Sequence, residues 1–280
     1  MKIPFLICSL FTISFYSMKA QEKFSVDMNL KTEPTDQINF NETNISFKIN
    51  KEISAKSNVT NTLEYSHLNV NYELGSFESL ENPNRFNQLQ NKFEFLQNIS
   101  KTTGLKFTVT PTANFQQNLG ISDVTILGSF EVHKQLSSSV DLSFGAARTT
   151  VLGYPKFLPV LALNYSINDK SNMLIGFPDS KISYSNNTRN KFSLTNSFNG
   201  NFYNLDSQIN SNKEVTKVSL SQMTSAFEYE RNVDSNWFLN FKAGYNFNKK
   251  YTLLDSDNHE LYDFNTGNGY ILGIGIKYKQ

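Results

Sequence analysis

Apolar and polar residues alternate along most of this chain, in runs that often exceed ten residues. Examples are residues 60–74, 190–205, 236–247 and 269–279. Such alternation places the apolar side chains on one face of a β-strand and the polar side chains on the other. Strands of ordinary globular domains have about five or six residues, whereas a tilted strand that crosses a bilayer needs about 9–11. The pattern therefore predicts an all-β fold whose strands are long enough to span a membrane.

The segments between the alternating runs predict antiparallel hairpins. Short polar connections occur at residues 135–138, 168–170 and 232–235, and tight connections of this kind join antiparallel neighbours. Longer polar stretches at 31–42, 75–90 and 249–268 are expected to be loops on the outer side. We predict about twelve strands, within a range of about ten to fourteen. Because lipid demands that every backbone group be paired, the predicted fold is a closed antiparallel transmembrane β-barrel.

The first twenty residues have the pattern of a secretory signal peptide. Lys2 supplies a positive start, residues 4–16 are almost entirely apolar, and Ala20 is a small residue before a polar segment. We therefore divide the chain into a cleaved signal peptide, residues 1–20, and a β-barrel, residues 21–280. The lone cysteine, Cys8, falls in the signal peptide, so the mature chain is expected to fold without disulfides.

Composition narrows the choice of function without deciding it. The chain has 26 basic and 25 acidic residues, a formal net charge of +1, and this balance argues against a nucleic-acid partner. Charged residues make up 18%, below the usual value of about 25%, and aromatic residues make up 14%. These values suit a barrel with solvent-exposed polar turns and a band of aromatic residues on its outer surface. They also suit a secreted β-sandwich that binds carbohydrate, which remains an alternative.

The last alternating run, GYILGIGIKYKQ, has an apolar face that ends in an aromatic residue. It resembles the C-terminal signal by which the barrel assembly machinery recognises outer-membrane proteins, although Lys279 and Gln280 follow the aromatic residue. We predict that other aromatic side chains, Trp237 and Tyr245, lie at the membrane interfaces. The residues assigned to the assembly signal are Tyr270, Leu272, Ile274, Ile276 and Tyr278.

One segment resembles a known family. It runs Gly153-Tyr154-Pro155-Lys156-Phe157-Leu158-Pro159-Val160 and continues as ALNYSINDKSNMLIGFP to Pro178. It resembles an uncharacterised family of outer-membrane β-barrels of Gram-negative bacteria, known only as a domain of unknown function. The shared features are a Leu-Pro-Val strand start, an Asn-Asp-Lys turn and a Phe-Pro end, within residues 120–185. The resemblance implies a fold and a membrane, and it implies no catalytic or ligand-binding residues.

The sequence offers no convincing catalytic or metal site. His67, His133 and His259 lack metal-ligand spacing, and neither a nucleophile elbow nor a phosphate-binding loop occurs. The acidic segment from Asp255 to Glu260 has oxygens that suit calcium, but its spacing does not match an EF-hand loop, and a hydrated loop is the favoured interpretation. Asp257 and His259 also have the residue types of a hydrolase. We predict no enzymatic activity and no cofactor.

The polar faces of the strands are expected to line a lumen. A wettable lining suits a small porin-like channel for hydrophilic solutes, in contact with outer-membrane lipid and inserted by the assembly machinery. The alternative for a barrel is a non-conducting structural or ligand-binding protein that acts through its outer loops. Predicted lumen-lining residues are Lys106, Asp141, Lys191, Asn240, Lys242 and Lys277.

Overall fold

The computed structural model describes residues 23–72, 83–206, 214–264 and 266–280. The predicted signal peptide, residues 1–20, lies outside the described residues. Within these ranges, the regular elements are β-strands and one 3-10 turn at Ile121–Asp123. They are β1 (Lys23–Pro34), β2 (Ile38–Ser54), β3 (Ser57–Tyr72), β4 (Arg85–Asn98), β5 (Thr103–Phe115), β6 (Val124–Gln135), β7 (Val140–Thr149), β8 (Lys156–Asn168), β9 (Ser171–Phe177), β10 (Asp179–Ser185), β11 (Asn190–Asn204), β12 (Lys217–Asn232), β13 (Trp237–Leu254), β14 (Glu260–Asp263) and β15 (Gly269–Lys279).

The strands form one antiparallel sheet that closes on itself. Each strand from β1 to β13 pairs with its sequence neighbour, and β15 pairs with both β13 and β1. The sheet has 15 strands, of which β14 pairs only with β13, so the other fourteen form the barrel wall. This confirms the predicted barrel, at the upper end of the expected range of strand number. Closure also contradicts the β-sandwich alternative, because a sandwich consists of two separate sheets.

The two ends of the barrel differ. The end we call the turn end carries Lys23, Lys279 and short connections such as 55–56 and 169–170. The opposite end, the loop end, carries the longer connections, including 116–123, 150–155 and 255–268. Among the described residues, no helix is long and apolar enough to cross a membrane.

A belt of apolar side chains encircles the outside of the barrel. Large apolar residues that are more than a third exposed occur on strand after strand around the wall. A water-soluble protein rarely leaves so continuous an apolar surface uncovered, whereas lipid solvates it favourably. Members of the belt include Met28, Ile45, Phe93, Phe107, Phe130, Phe144, Leu161, Ile175, Ile182, Leu194, Phe227, Phe241 and Ile274.

We expect the substitution Ile274→Arg to impair insertion into lipid vesicles. The side chain of Ile274 is 50% exposed on the outer face of β15, and a charge near the bilayer midplane costs about 2–4 kcal/mol. The control is Asn240→Arg, because Asn240 lines the interior on the adjacent strand β13. Folded fraction after dilution into vesicles, read by heat-modifiable gel migration, tests the expectation. Equal folding of the two variants would contradict a lipid-facing belt.

The apolar face switches from the outside to the inside as the strands approach the loop end. In β3, Tyr65 is 41% exposed on the outer face, whereas Leu68 and Val70 are 5% and 1% exposed in the interior. The apolar residues up to Tyr65 therefore lie at odd positions, and those from Leu68 onward lie at even positions. Strand β2 shows the same switch between Phe40 and Ile45. Beyond the belt, the barrel is thus polar outside and apolar inside, as in a water-soluble protein.

Because the apolar face switches, the predicted outer loops 31–42 and 249–268 are wrong in extent, and parts of both are strand. Residues 31–34 and 38–42 continue β1 and β2, with only a tight turn between them, and residues 249–254 continue β13. Polar side chains occur on both faces of these segments, with Thr32, Asn39 and Asn41 outside above the belt and Glu33 and Lys249 buried inside, so the sequence resembles a loop although the backbone remains in the sheet. Of the predicted loop 75–90, residues 75–82 lie outside the described part of the chain, and Arg85–Asn98 is strand.

Candidate functional site: the lumen

The interior wall in the turn half of the barrel carries charged side chains that pair along the wall. Lys181 on β10 and Lys242 on β13 both contact Glu228 on β12, with Nζ–O distances of 2.8 and 3.4 Å. Lys242 and Glu228 are direct neighbours in the β12–β13 register. All three side chains share the inner face of adjacent or next-adjacent strands, so their pairing lines the wall.

A second group of paired charges lies on the neighbouring strands. Lys277 on β15 contacts Asp27 on β1 at 3.3 Å and Glu230 on β12 at 3.5 Å. On the other side of the barrel, Lys106 on β5 contacts Glu94 at 3.3 Å and Glu131 at 3.7 Å. Ion pairs of this kind in a wet lumen add little stability, but they keep the wall wettable.

These walls enclose two cavities, which together we call the turn-end chamber. One cavity, of about 400 Å³, lies at mid-wall, and the other, of about 1090 Å³, lies beside the first residues of β1 and the last residues of β15. The linings of the two cavities share Asp27, Glu230 and Lys277. The chamber is therefore a polar space of a size that admits small hydrophilic molecules.

The loop half of the interior is filled by an apolar cluster, which we call the loop-end core. Phe86 on β4 packs against Tyr203 on β11, with ring centroids 4.7 Å apart. These two strands lie on opposite sides of the barrel in the strand order, and a round barrel of fourteen strands would hold them about 28 Å apart. The loop end is therefore closed by its own walls. The buried members of the core are Ile38, Phe40, Leu68, Val70, Phe86, Tyr203, Val215, Val218, Leu220, Tyr251, Leu253 and Phe264.

The barrel narrows because β9 and β10 end early. Pairing between β8 and β9 stops at Leu161 and Phe177, and pairing between β10 and β11 stops at Asp179 and Ser197. Above that level, the connection 150–155 reaches across to β11 and β12. Thr150 Oγ1 donates to the carbonyl of Gly200 at 2.8 Å, and a Cβ atom at Gly200 would lie only 2.2 Å from the Thr150 carbonyl oxygen. Glycine at position 200 allows this close approach.

Buried charges separate the loop-end core from the chamber. Glu33 accepts from Lys249, from Lys31 at 2.9 Å and from Gln222 at 3.1 Å. The Lys249 ammonium also lies 3.7 Å from the ring centroid of Phe40, a cation–π contact. Glu33 and Lys249 side chains are only 4% and 2% exposed. This junction, with Glu42 beside Lys31 at 2.7 Å, ties β1, β2, β12 and β13 together beneath the core.

The structure brings four of the six predicted lumen residues together. Lys191, Asn240, Lys242 and Lys277 line the mid-wall cavity. Lys106 lies with Glu94 and Glu131 on another part of the wall, and Asp141 pairs in register with Gln135 and Asn164. That these residues line a solute pathway stays a prediction. The loop-end core and the Glu33 junction were not predicted from the sequence, although the switch between odd and even apolar positions is a signal for them.

The predicted aromatic and assembly residues lie on the outer face. Trp237 packs edge-on against Tyr278 near the turn end, with ring centroids 5.1 Å apart. Tyr245 packs against Tyr270 farther along the same pair of strands, with centroids 5.4 Å apart. Between these two pairs, Leu272, Ile274 and Ile276 are exposed on the outside of β15. Their roles as interface anchors and assembly signal stay predictions.

The acidic segment at the loop end forms a turn held by its own hydrogen bonds and by Lys217 of β12, whose Nζ donates to the Ser256 carbonyl at 2.6 Å and to Asn258 Oδ1 at 2.9 Å. Asp255 Oδ1 accepts from the backbone N–H groups of Asp257 and His259, both at 2.8 Å, and Oδ2 lies 3.1 Å from the His259 ring. These hydrogen bonds lower the pKa of the Asp255 carboxyl group, with the His259 backbone N–H as the main cause. Ligand-type atoms of Asp255, Asp257 and His259 lie within 4.8 Å of one another, but most of the Asp255 acceptor capacity is used inside the turn.

Two solved structures share the fold at low sequence identity. An outer-membrane channel from Pseudomonas putida F1 superposes with a TM-score of 0.50 and 9% identity, covering 96% of this chain and 98% of that chain. A mutant of the TodX monoaromatic hydrocarbon channel superposes with a TM-score of 0.50 and 10% identity, covering 96% of this chain and 91% of that chain. At these identities the likeness shows the fold alone, which is that of outer-membrane β-barrels.

The family assignment comes from sequence. A comparison with curated proteins finds no match. A family model, by contrast, covers residues 15–279, far more than the segment 120–185 on which the resemblance was based, and this confirms that resemblance. The chain belongs to the DUF6268 family, a domain of unknown function.

Proposed function

We propose that this protein is a porin-like transport barrel for small hydrophilic solutes in the outer membrane of a Gram-negative bacterium, reached through a cleaved signal peptide and the barrel assembly machinery. The observation that carries the proposal is the turn-end chamber. Its two cavities, of about 400 and 1090 Å³, lie inside a wall that is apolar outside and charged inside. A wall of this polarity separates a polar solute from lipid, which is the requirement for transport.

The loop-end core acts as the closed gate of this barrel. Transport requires that Phe86 and Tyr203 separate, since their contact joins opposite walls. Opening is confined to the part of the sheet above the belt, where water can solvate backbone groups that lose their strand partners. The lipid-facing belt itself need not change.

The same core favours a second candidate function. If it never opens, the barrel is a non-conducting protein that binds a ligand in the chamber from the turn end. The two functions differ in one measurable property, which is current across the membrane.

Planar-bilayer recordings of the refolded chain 21–280 test the proposal. We expect rare openings for the unaltered protein and frequent, reproducible current steps for the double variant Phe86→Ala/Tyr203→Ala, because removal of both rings breaks the contact between opposite walls. The matched control is Phe93→Ala/Phe227→Ala, which removes two belt residues that are 43% and 50% exposed on the outside. Silence in all three proteins, with insertion verified by protease protection, would overturn the channel proposal and favour the ligand-binding barrel.

A further inference from the structure

Three lysines at the mouth of the turn-end chamber have no ionic partner in the part of the chain that the structure describes. Lys23, Lys48 and Lys279 line the larger cavity and form neither an ion pair nor a side-chain hydrogen bond there. Deeper in the lumen, most charged side chains are paired, as around Glu228, Lys277 and Lys106, although Lys191 forms no ion pair among the described residues. An excess of unpaired positive charge in a concave, low-dielectric wall raises the local concentration of anions.

The strand register shows that the excess is a local arrangement. Ser25 on β1 is the direct register neighbour of Lys279 on β15 and of Lys48 on β2, so the two lysines flank Ser25 on the same face of the sheet. Neighbouring strands are about 4.8 Å apart, which places the two lysine backbones about 10 Å from each other. Lys23 follows on the same face of β1, one pair closer to the turn end.

The next position of β1 on the same face, Asp27, is part of an ion pair. Asp27 is flanked in register by Lys277, and the two side chains form an ion pair at 3.3 Å. The acidic residues of the same lining, Asp27 and Glu230, are both bound to Lys277. Among the described side chains of this lining, Glu52 adds the remaining negative charge. The mouth therefore has a net positive charge next to a neutralised wall.

We propose that the mouth formed by Lys23, Lys48 and Lys279 is a binding site for small anions that carry carboxylate or phosphate oxygens, and that such anions are the solute class of the barrel. The assignment of anions as the solute class rests on the proposed transport function, whereas the anion-binding site does not. The spacing suits a solute with two anionic groups, one for each lysine beside Ser25. The Ser25 hydroxyl is a neutral donor between them.

Binding of a fluorescent pyrene trisulfonate to the refolded barrel in uncharged detergent micelles tests the site. We expect the double variant Lys48→Gln/Lys279→Gln to weaken binding at least tenfold and the substitution Glu52→Gln to strengthen it. Inorganic phosphate should compete with the probe, and affinity should fall as salt rises, because the site is open to solvent. Gel migration of the folded form verifies that each variant has the barrel fold.

The matched control is Lys56→Gln/Lys101→Gln, which removes the same charge from exposed turns at the same end of the barrel. We expect it to bind the probe within about twofold of the unaltered protein. Equal loss of affinity in both double variants would overturn the site, since the attraction would then be due to net charge. A silent bilayer with intact, lysine-dependent binding would instead overturn transport and leave the anion site standing.

In the conducting variant Phe86→Ala/Tyr203→Ala, reversal potentials in a salt gradient test the solute class. We expect chloride to be favoured over potassium, and the preference to disappear when Lys48→Gln/Lys279→Gln is added. A cation preference that is insensitive to these lysines would contradict the assignment of anions as the solute class.

Discussion

The substitution Glu33→Gln is expected to lower the free energy of unfolding by about 3–5 kcal/mol, as is typical when one partner of a buried ion pair is removed. Glu33 is the only acid that contacts Lys249 among the described residues, and the Lys249 side chain is 2% exposed. Without the carboxylate, no acid contacts Lys249, and its ammonium keeps only the Phe40 ring and a neutral amide oxygen as partners. Urea titration of the barrel refolded in vesicles measures the loss.

The matched variant is Lys249→Met, which removes the other member of the same pair. We expect a loss of only about 1–2 kcal/mol, because Glu33 keeps its contacts with Lys31 and Gln222 and so is not left as an uncompensated charge. The two substitutions should therefore differ although they break the same ion pair. Equal losses would show that Lys249 is solvated or otherwise compensated when Glu33 is absent.

The second large effect is expected from Phe86→Ala, which should lower the free energy of unfolding by about 3–5 kcal/mol. This is the usual range for a phenylalanine truncated in a close-packed core. Phe86 is fully buried and joins opposite walls through Tyr203. Phe93 lies on the outer face of the same strand β4 and is 43% exposed. Since lipid can fill the space left by a belt residue, Phe93→Ala should cost clearly less under the same titration.

Comparable losses for the two phenylalanine variants would contradict a packed loop-end core. A smaller loss for Phe86→Ala together with a large rise in conductance would mean that the walls part readily, so that the core is a weak gate.

Sequence periodicity predicted the barrel because the belt and the polar lumen repeat with a period of two on every strand. Met28 and Ile274, for example, are recognisable from the sequence as members of the apolar face of their strands. The period alone does not say which face is inside. Leu68 and Val70 continue an apolar alternation that looks like the lipid-facing one, yet they face the interior.

The closed loop end was not predictable in the same way. It depends on contacts between residues far apart in sequence, such as Phe86 with Tyr203 and Glu33 with Lys249. The change from Tyr65 to Leu68 in β3 is visible in the sequence, but its meaning requires the register of β3 with β2 and β4. Likewise, Lys48 and Lys279 are separated by most of the chain, and only closure of the barrel makes them neighbours of Ser25.

The switch of the apolar face also fixes how thick a bilayer the barrel can match. From Trp237 to Tyr245 the belt spans nine residues of β13, and the eight steps between them correspond to about 20 Å along the membrane normal at a rise of about 3.3 Å per residue and a tilt of about 40°. Above that level the outer surface is polar, so the barrel cannot sink deeper to cover a thicker hydrocarbon layer. Lipids beside β13 and β15 must therefore compress, and this side of the barrel will favour short acyl chains and neighbours with an equally narrow belt.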